Sequence, residues 1–152
     1  MREAVIVEAV RSPVGRKNGT LSHIRPDDLA AHVLRALVER ANIEPGVVED
    51  IIMGCVTPIG EQGLNVARIA GLIAGFPVET CGVQINRMCG SSQQAIHFAS
   101  QAIEAGDMDV VIGAGIEGMS RVPMGSDGGT FSEQLAARYS LIQLIRTVEQ
   151  FA

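Results

Sequence analysis

The sequence has few aromatic side chains: no tryptophan, one tyrosine and four phenylalanines among 152 residues. Hydrophobic residues still make up 47% of the chain, so the predicted core consists of valine, isoleucine, leucine and alanine. The scarcity of aromatic rings removes the stacking platforms that single-stranded nucleic acids use. A formal net charge of −5 at pH 7 disfavours the basic surface that binds phosphate backbones. We therefore expect no nucleic-acid partner.

Cysteine is also scarce, with Cys55, Cys81 and Cys89. An odd number without a C-x-x-C pair is typical neither of a disulfide scaffold nor of a zinc site. Cys55 and Cys81 lie in or beside predicted strands, and we expect both in the core. There are only three histidines, and they form no metal-ligand pattern: His23, His32 and His97. We predict no metal site.

Long apolar runs are absent as well. No stretch approaches the length needed to span a bilayer. The first residues, Met-Arg-Glu-Ala, precede only a short apolar run, which does not resemble a signal peptide. We therefore expect no membrane partner and a cytoplasmic location.

Apolar runs alternate with amphipathic segments along most of the chain. The pattern predicts strands at residues 4–10, 50–56, 80–86 and 109–114. It predicts helices at residues 26–41 and 65–74, and a third helix that carries Cys89 at its start and runs to about residue 105. Strands that alternate with helices at this spacing indicate right-handed βαβ units. The expected fold class is therefore α/β, with a mostly parallel sheet and helices on both faces.

Cys89 lies where the third predicted strand is followed by the third predicted helix. The first N–H groups of a helix lack intrahelical partners and carry partial positive charge, which stabilises a thiolate. The same groups can receive the oxyanion that forms when a thiolate attacks a carbonyl. Gly90 leaves room for a substrate beside the sulfur. On the residues alone two interpretations stay open, a nucleophile and a small buried hydrophobic residue.

His97 and Glu117 are two further ionisable residues that could carry chemistry. His97 follows Cys89 by eight positions, about 12 Å along a helix, which is beyond hydrogen-bond reach. We expect a histidine on the helix surface or at an interface. Glu117 is either a general acid or a structural hydrogen-bond acceptor, and the absence of a placed partner favours the structural role.

Residues 113–118 fit the pattern G-x-G-x-x-G after a predicted strand. A dinucleotide site also requires a helix that opens at those glycines, and Pro123 follows too soon for a long regular helix. The motif lies at the fourth predicted strand, whereas the fingerprint belongs to the first. We interpret these glycines as sites of close backbone packing.

Several segments, in order, resemble the thiolase family of acyl-CoA acyltransferases. Residues 86–92, Asn-Arg-Met-Cys-Gly-Ser-Ser, resemble its nucleophile loop, and 3–15 and 50–56 resemble its first two strands. Residues 113–120 are similar to its Gly-Gly-x-Glu-Ser-Met-Ser segment, with Ala114 and Gly118 as departures. The related ketoacyl synthases more often read Ala-Cys-Ser-Ser at the nucleophile, so the loop favours a thiolase.

The resemblance implies an N-terminal portion of a thiolase. Residues 1–118 would form the first α/β core without its last strand, and 119–152 the start of a loop-domain insertion with a divergent tail. Cys89 would be acylated by a coenzyme A thioester, a substrate rather than a bound cofactor, with its own N–H as an oxyanion donor. Full-length relatives are expected as homodimers or tetramers.

No residue of this sequence matches the histidine and second cysteine of the family's other half. Those groups activate the nucleophile and transfer a proton to the substrate. A second hypothesis is therefore a non-catalytic fragment or association module.

Overall fold

The computed structural model of the chain describes residues 2–140, in which helices and parallel strands alternate. The three strands are β1 (Asp50–Gly54), β2 (Cys81–Ile85) and β3 (Val111–Gly115). The helices are α1 (Pro26–Ala41), α2 (Val66–Ala74), α3 (Ser91–Ala105) and α4 (Glu133–Arg138). Short 3-10 helices span Thr20–His23, Pro45–Val47 and Gly60–Gln62.

The three strands form one sheet in the order β2-β1-β3, with both pairings parallel. The central strand β1 is buried along all five residues because strands flank it and helices cover both faces. Gly54, its last residue, pairs with Ile85 on one side and Gly115 on the other. The carboxyl ends of all three strands therefore meet at one edge of the sheet.

The two faces of the sheet carry different helices. Ile51 and Met53 belong to the larger core cluster, which includes Leu34 of α1 and Ala67 of α2. Alternate residues point the other way, so Ile52 packs with Ala95 and Ala99 of α3. This arrangement confirms the predicted α/β class with helices on both faces.

The helix ends follow local sequence signals. Helix α1 begins with Pro26, and Asp27 and Asp28 lie in its first turn, near the positive end of its dipole. Helix α3 ends at Gly106, whose φ of 82° is in the left-handed region that glycine tolerates. The predicted bounds of α1 and the predicted end of α3 are confirmed, whereas α3 begins at Ser91, two residues after Cys89, which the prediction placed in the helix.

The predicted first strand, residues 4–10, is wrong: the structure has no strand there. Val5, Ile6 and Val7 are 70–79% exposed, although their apolar character is typical of a buried strand. The physical reason is that a strand requires ladder hydrogen bonds to a neighbour, and within residues 2–140 this segment pairs with the outer edge of neither β2 nor β3. Among residues 2–140, the segment is held by ion pairs instead, between Arg2 and Asp109 and between Arg40 and Glu8.

After β3 the chain leaves the core. Residues 119–131 lie mostly in turns, and the short helix α4 follows them. Its first turn is capped by the Ser132 side chain, which accepts a hydrogen bond from the Leu135 N–H. The divergent tail predicted for the end of the 119–152 segment lies outside the described residues. The domain boundary at residue 118 stays a prediction.

Between residues 2 and 140, no helix combines the length and apolar character required to cross a bilayer.

Candidate active site

The candidate site lies at the edge of the sheet where the three strands end. Strand β2 ends at Ile85, and α3 begins at Ser91 with Gly90 as the residue that caps it. Cys89 lies in the loop between them and is exposed. The structure therefore places Cys89 at the strand-to-helix junction, as predicted, and rules out a buried hydrophobic role.

Glycines on the sheet allow α3 to start directly above these strand ends. A Cβ on Gly54 would lie 2.4 Å from the Ser92 nitrogen, and one on Gly115 would lie 1.9 Å from Ser92 Oγ. A Cβ on Gly113 would lie 3.0 Å from the Cα of Ile96, one turn further along α3. The predicted role of the 113–118 glycines in close backbone packing is confirmed, and no helix opens directly after them.

The loop before α3 is held in a tight conformation by its own hydrogen bonds. Met88 has a φ of 48°, which side-chain-bearing residues adopt rarely. The Arg87 N–H donates to Ser91 Oγ (2.9 Å), and the Ser91 hydroxyl donates to the Met88 carbonyl (2.5 Å). The Gly90 N–H donates to the Arg87 carbonyl (3.1 Å). The backbone on both sides of Cys89 is therefore fixed.

Asn86 connects this loop to the chain that leaves β1. Its side-chain Nδ2 donates to the Val56 carbonyl (2.9 Å), and its Oδ1 accepts from the Met88 N–H (2.9 Å). Sequence reasoning did not single out Asn86. The available signal was an asparagine at a strand end, where the side chain commonly accepts a bond from the N–H two residues later.

Glu117 connects the same Val56 to the chain that leaves β3. One carboxylate oxygen accepts from the Val56 N–H (2.7 Å), and the other accepts from Gln62 Nε2 (2.8 Å). Gln62 is fully buried, and it also donates to the Thr57 carbonyl and accepts from the Gly118 N–H. The structural role expected for Glu117 is confirmed, whereas Gln62 was missed in the sequence.

The other two thiols occupy different environments. Cys55 is 1% exposed, and burial raises the pKa of its thiol to about 11, with the negative charge of Glu117 adding to the shift. Cys81 is exposed, so the prediction that it lies in the core is wrong. The reason is that β2 is an outer strand of the sheet, and α3 packs over Ile85 at its end rather than over its start.

Histidine plays no part in the described site. His97 lies on the exposed surface of α3, as expected. Within residues 2–140, no cluster of three or more histidine, cysteine or acidic side chains is arranged to hold a metal ion.

The arrangement has the elements of a nucleophile loop: an exposed thiol, a fixed backbone and the start of a fifteen-residue helix beside it. A family model described as the N-terminal domain of thiolases matches residues 4–148. The chain belongs to the thiolase family.

Relatives of this thiolase chain include enzymes of several named specificities. It is 48% identical over 126 residues to the steroid 3-ketoacyl-CoA thiolase of Mycobacterium tuberculosis, covering 83% of this chain and 31% of that protein. It is 47% identical over 137 residues to the 3-oxoadipyl-CoA/3-oxo-5,6-dehydrosuberyl-CoA thiolase of Escherichia coli, covering 88% and 34%.

A solved structure of an acyltransferase is also similar to this chain. The acetyl-CoA acetyltransferase of Bacillus anthracis superimposes with a TM-score of 0.77 at 41% identity, covering 81% of this thiolase chain and 31% of that one. The chain thus spans about a third of the length of the relatives that it matches.

Proposed function

We propose that this chain is the N-terminal part of a thiolase that transfers acyl groups between coenzyme A thioesters, with Cys89 as the acyl-accepting nucleophile. The observation that carries the proposal is the exposed thiol of Cys89 between the end of β2 and the start of α3. The thiolate attacks the thioester carbonyl, an acyl–sulfur bond forms, and coenzyme A leaves as the thiolate and takes up a proton. Covalent capture divides a difficult acyl transfer into two easier steps.

The backbone of the site suits this step. The Cys89 N–H lies just before α3, where the helix dipole contributes partial positive charge, so we assign it as one oxyanion donor. The substrate is a coenzyme A thioester, and the proposal requires no bound cofactor. The relatives include a steroid 3-ketoacyl-CoA thiolase, a 3-oxoadipyl-CoA/3-oxo-5,6-dehydrosuberyl-CoA thiolase and an acetyl-CoA acetyltransferase, so they leave the acyl group open. A cytoplasmic homodimer or tetramer is part of the same proposal.

The alternative function is a non-catalytic association module. It is favoured by exposed apolar side chains such as Val5, Ile6 and Leu64. In that case the surface binds another polypeptide and Cys89 turns over no substrate.

Incubation of the purified chain with acetyl-CoA, followed by intact-mass measurement, separates the two functions. We expect the parent chain to gain one acetyl group and the Cys89→Ser variant to gain none. Cys81→Ser is the matched control, because Cys81 is also exposed and lies outside the candidate site. Acetylation that persists in Cys89→Ser would overturn the assignment of the nucleophile. A folded parent chain that is not acetylated would favour the association module.

A further inference from the structure

The chain segments that leave the three strands are connected through the backbone of one residue, Val56. Val56 follows the central strand β1, Asn86 follows β2 and Glu117 follows β3. The Val56 N–H donates to Glu117, and the Val56 carbonyl accepts from Asn86. We propose that Asn86 and Glu117 are positioning residues that fix the Cys89 loop, residues 86–90, by holding the backbone carbonyl and the backbone N–H of Val56, respectively. The proposal rests on the function proposed for Cys89.

Asn86 acts on the residue that precedes the nucleophile. Its Oδ1 holds the Met88 N–H, and the Met88 carbonyl is held by Ser91. Backbone conformations with positive φ persist only where surrounding contacts enforce them, and Met88 has such a conformation. The side chain of Asn86 is therefore a contact that keeps Met88, and with it Cys89, in the observed geometry.

The carboxylate of Glu117 is held in place by its own hydrogen-bond partners. Both of its oxygens accept hydrogen bonds, one from Val56 and one from the fully buried Gln62. Gln62 is itself fixed by Thr57 and Gly118, so the carboxylate has little freedom to rotate. Substitution by glutamine leaves one acceptor oxygen for two donors and weakens the hold on Val56.

Single-turnover acetylation of Cys89 by acetyl-CoA tests the proposal. All variants carry Cys81→Ser, so that Cys89 is the exposed thiol. We expect Asn86→Ala to lower the limiting rate by roughly tenfold to a hundredfold, because small displacements of reacting groups have effects of that size. The half-saturating acetyl-CoA concentration and the final extent of labelling stay at parental values. Glu117→Gln is expected to lower the same rate constant.

The double variant tests whether the two residues act through the backbone of Val56. If both act through Val56, Asn86→Ala combined with Glu117→Gln loses no more than the larger single loss. Gln101→Ala and Glu39→Gln are matched controls, since they change an exposed amide on α3 and an exposed carboxylate on α1. Both controls are expected to react at the parental rate.

Three results would overturn the proposal. The first is parental rates in both variants, and the second is losses that multiply in the double variant. The third is incomplete labelling at an unchanged rate constant, which indicates loss of folded protein rather than mispositioning.

Hydrogen exchange separates failure of this proposal from failure of the proposed function. If the parent chain is not acetylated, the amide of Met88 still reports the geometry of the loop. Faster exchange at Met88 in both variants supports the positioning role, and exchange at the parental rate in both overturns it.

Discussion

The three cysteines differ in accessibility and in expected reactivity because their surroundings differ. Cys55 extends from the end of β1 into the core, where the ionised thiolate loses its hydration and lies near the carboxylate of Glu117. Cys81 and Cys89 are exposed, but only Cys89 lies beside the start of a long helix. Accessibility therefore excludes Cys55 as a nucleophile, and position distinguishes Cys89 from Cys81.

We predict that iodoacetamide at pH 8 modifies Cys81 and Cys89 in the native chain and leaves Cys55 unmodified. Cys55 is buried, and with a pKa of about 11 its thiol stays protonated at that pH. Peptide mapping after timed alkylation measures each site. Addition of denaturant is the control and makes all three thiols reactive. Native-state labelling of Cys55 at the rate of Cys81 would contradict the described core.

At the scale of elements, the site depends on how closely α3 approaches the sheet. Gly54 and Gly115 are neighbours in register on β1 and β3, and both face the first turn of α3. Any side chain at Gly54 would collide with the backbone of Ser91 and Ser92 rather than with a flexible side-chain end. The position of Cys89 is thus determined by two strands that are distant from it in sequence.

We predict that Gly54→Ala destabilises the chain by about 1–3 kcal/mol, the usual cost of overpacking a close contact. The added Cβ would lie 2.5 Å or less from backbone atoms of Ser91 and Ser92, so α3 must shift. Urea unfolding monitored by circular dichroism measures the change. Gly129→Ala is the matched control, because a Cβ at Gly129 meets no atom within 4 Å. Equal unfolding midpoints for both variants would contradict this packing.

At the scale of the whole molecule, strand pairing and side-chain packing are most complete around β1. Both edges of β1 are paired and both faces are covered, whereas the outer edges of β2 and β3 pair with no strand among residues 2–140. Residues 4–10 make no backbone–backbone hydrogen bond within the same range. The chain therefore combines a well-packed centre with an apolar segment that remains exposed to solvent.

We predict that hydrogen exchange is slow at the amides of β1 and fast at those of Val5, Ile6 and Val7. Mass spectrometry of the exchanged chain measures both segments in one experiment. A matched pair of substitutions reports the same contrast. Ile52→Ala is expected to cost about 2–4 kcal/mol, and Ile6→Ala less than about 0.5 kcal/mol, because Ile52 is 5% exposed and Ile6 is 79% exposed. Protection of Ile6 equal to that of β1 would show that residues 4–10 pair with a strand.

The sequence by itself determined the helices, three of the strands, the α/β class and the location of Cys89. These features depend on local signals, namely apolar periodicity, Pro26 and Gly106 at helix ends, and a strand followed directly by a helix. The thiolase resemblance of residues 86–92 followed from the same local string.

Only the tertiary structure decided the features that depend on partners distant in sequence. A strand at residues 4–10 requires pairing with the outer edge of β2 or β3, and burial of Cys81 requires cover on its own face of β2, opposite the face where α2 packs on Gly82. Neither is found within residues 2–140. Conversely, the fold brings Asn86 and Glu117, which are 31 positions apart in sequence, to the backbone of the same residue, Val56, and no local pattern encodes that contact. Hydrogen-bond partners across strand ends are set by the sheet order, which local periodicity does not specify.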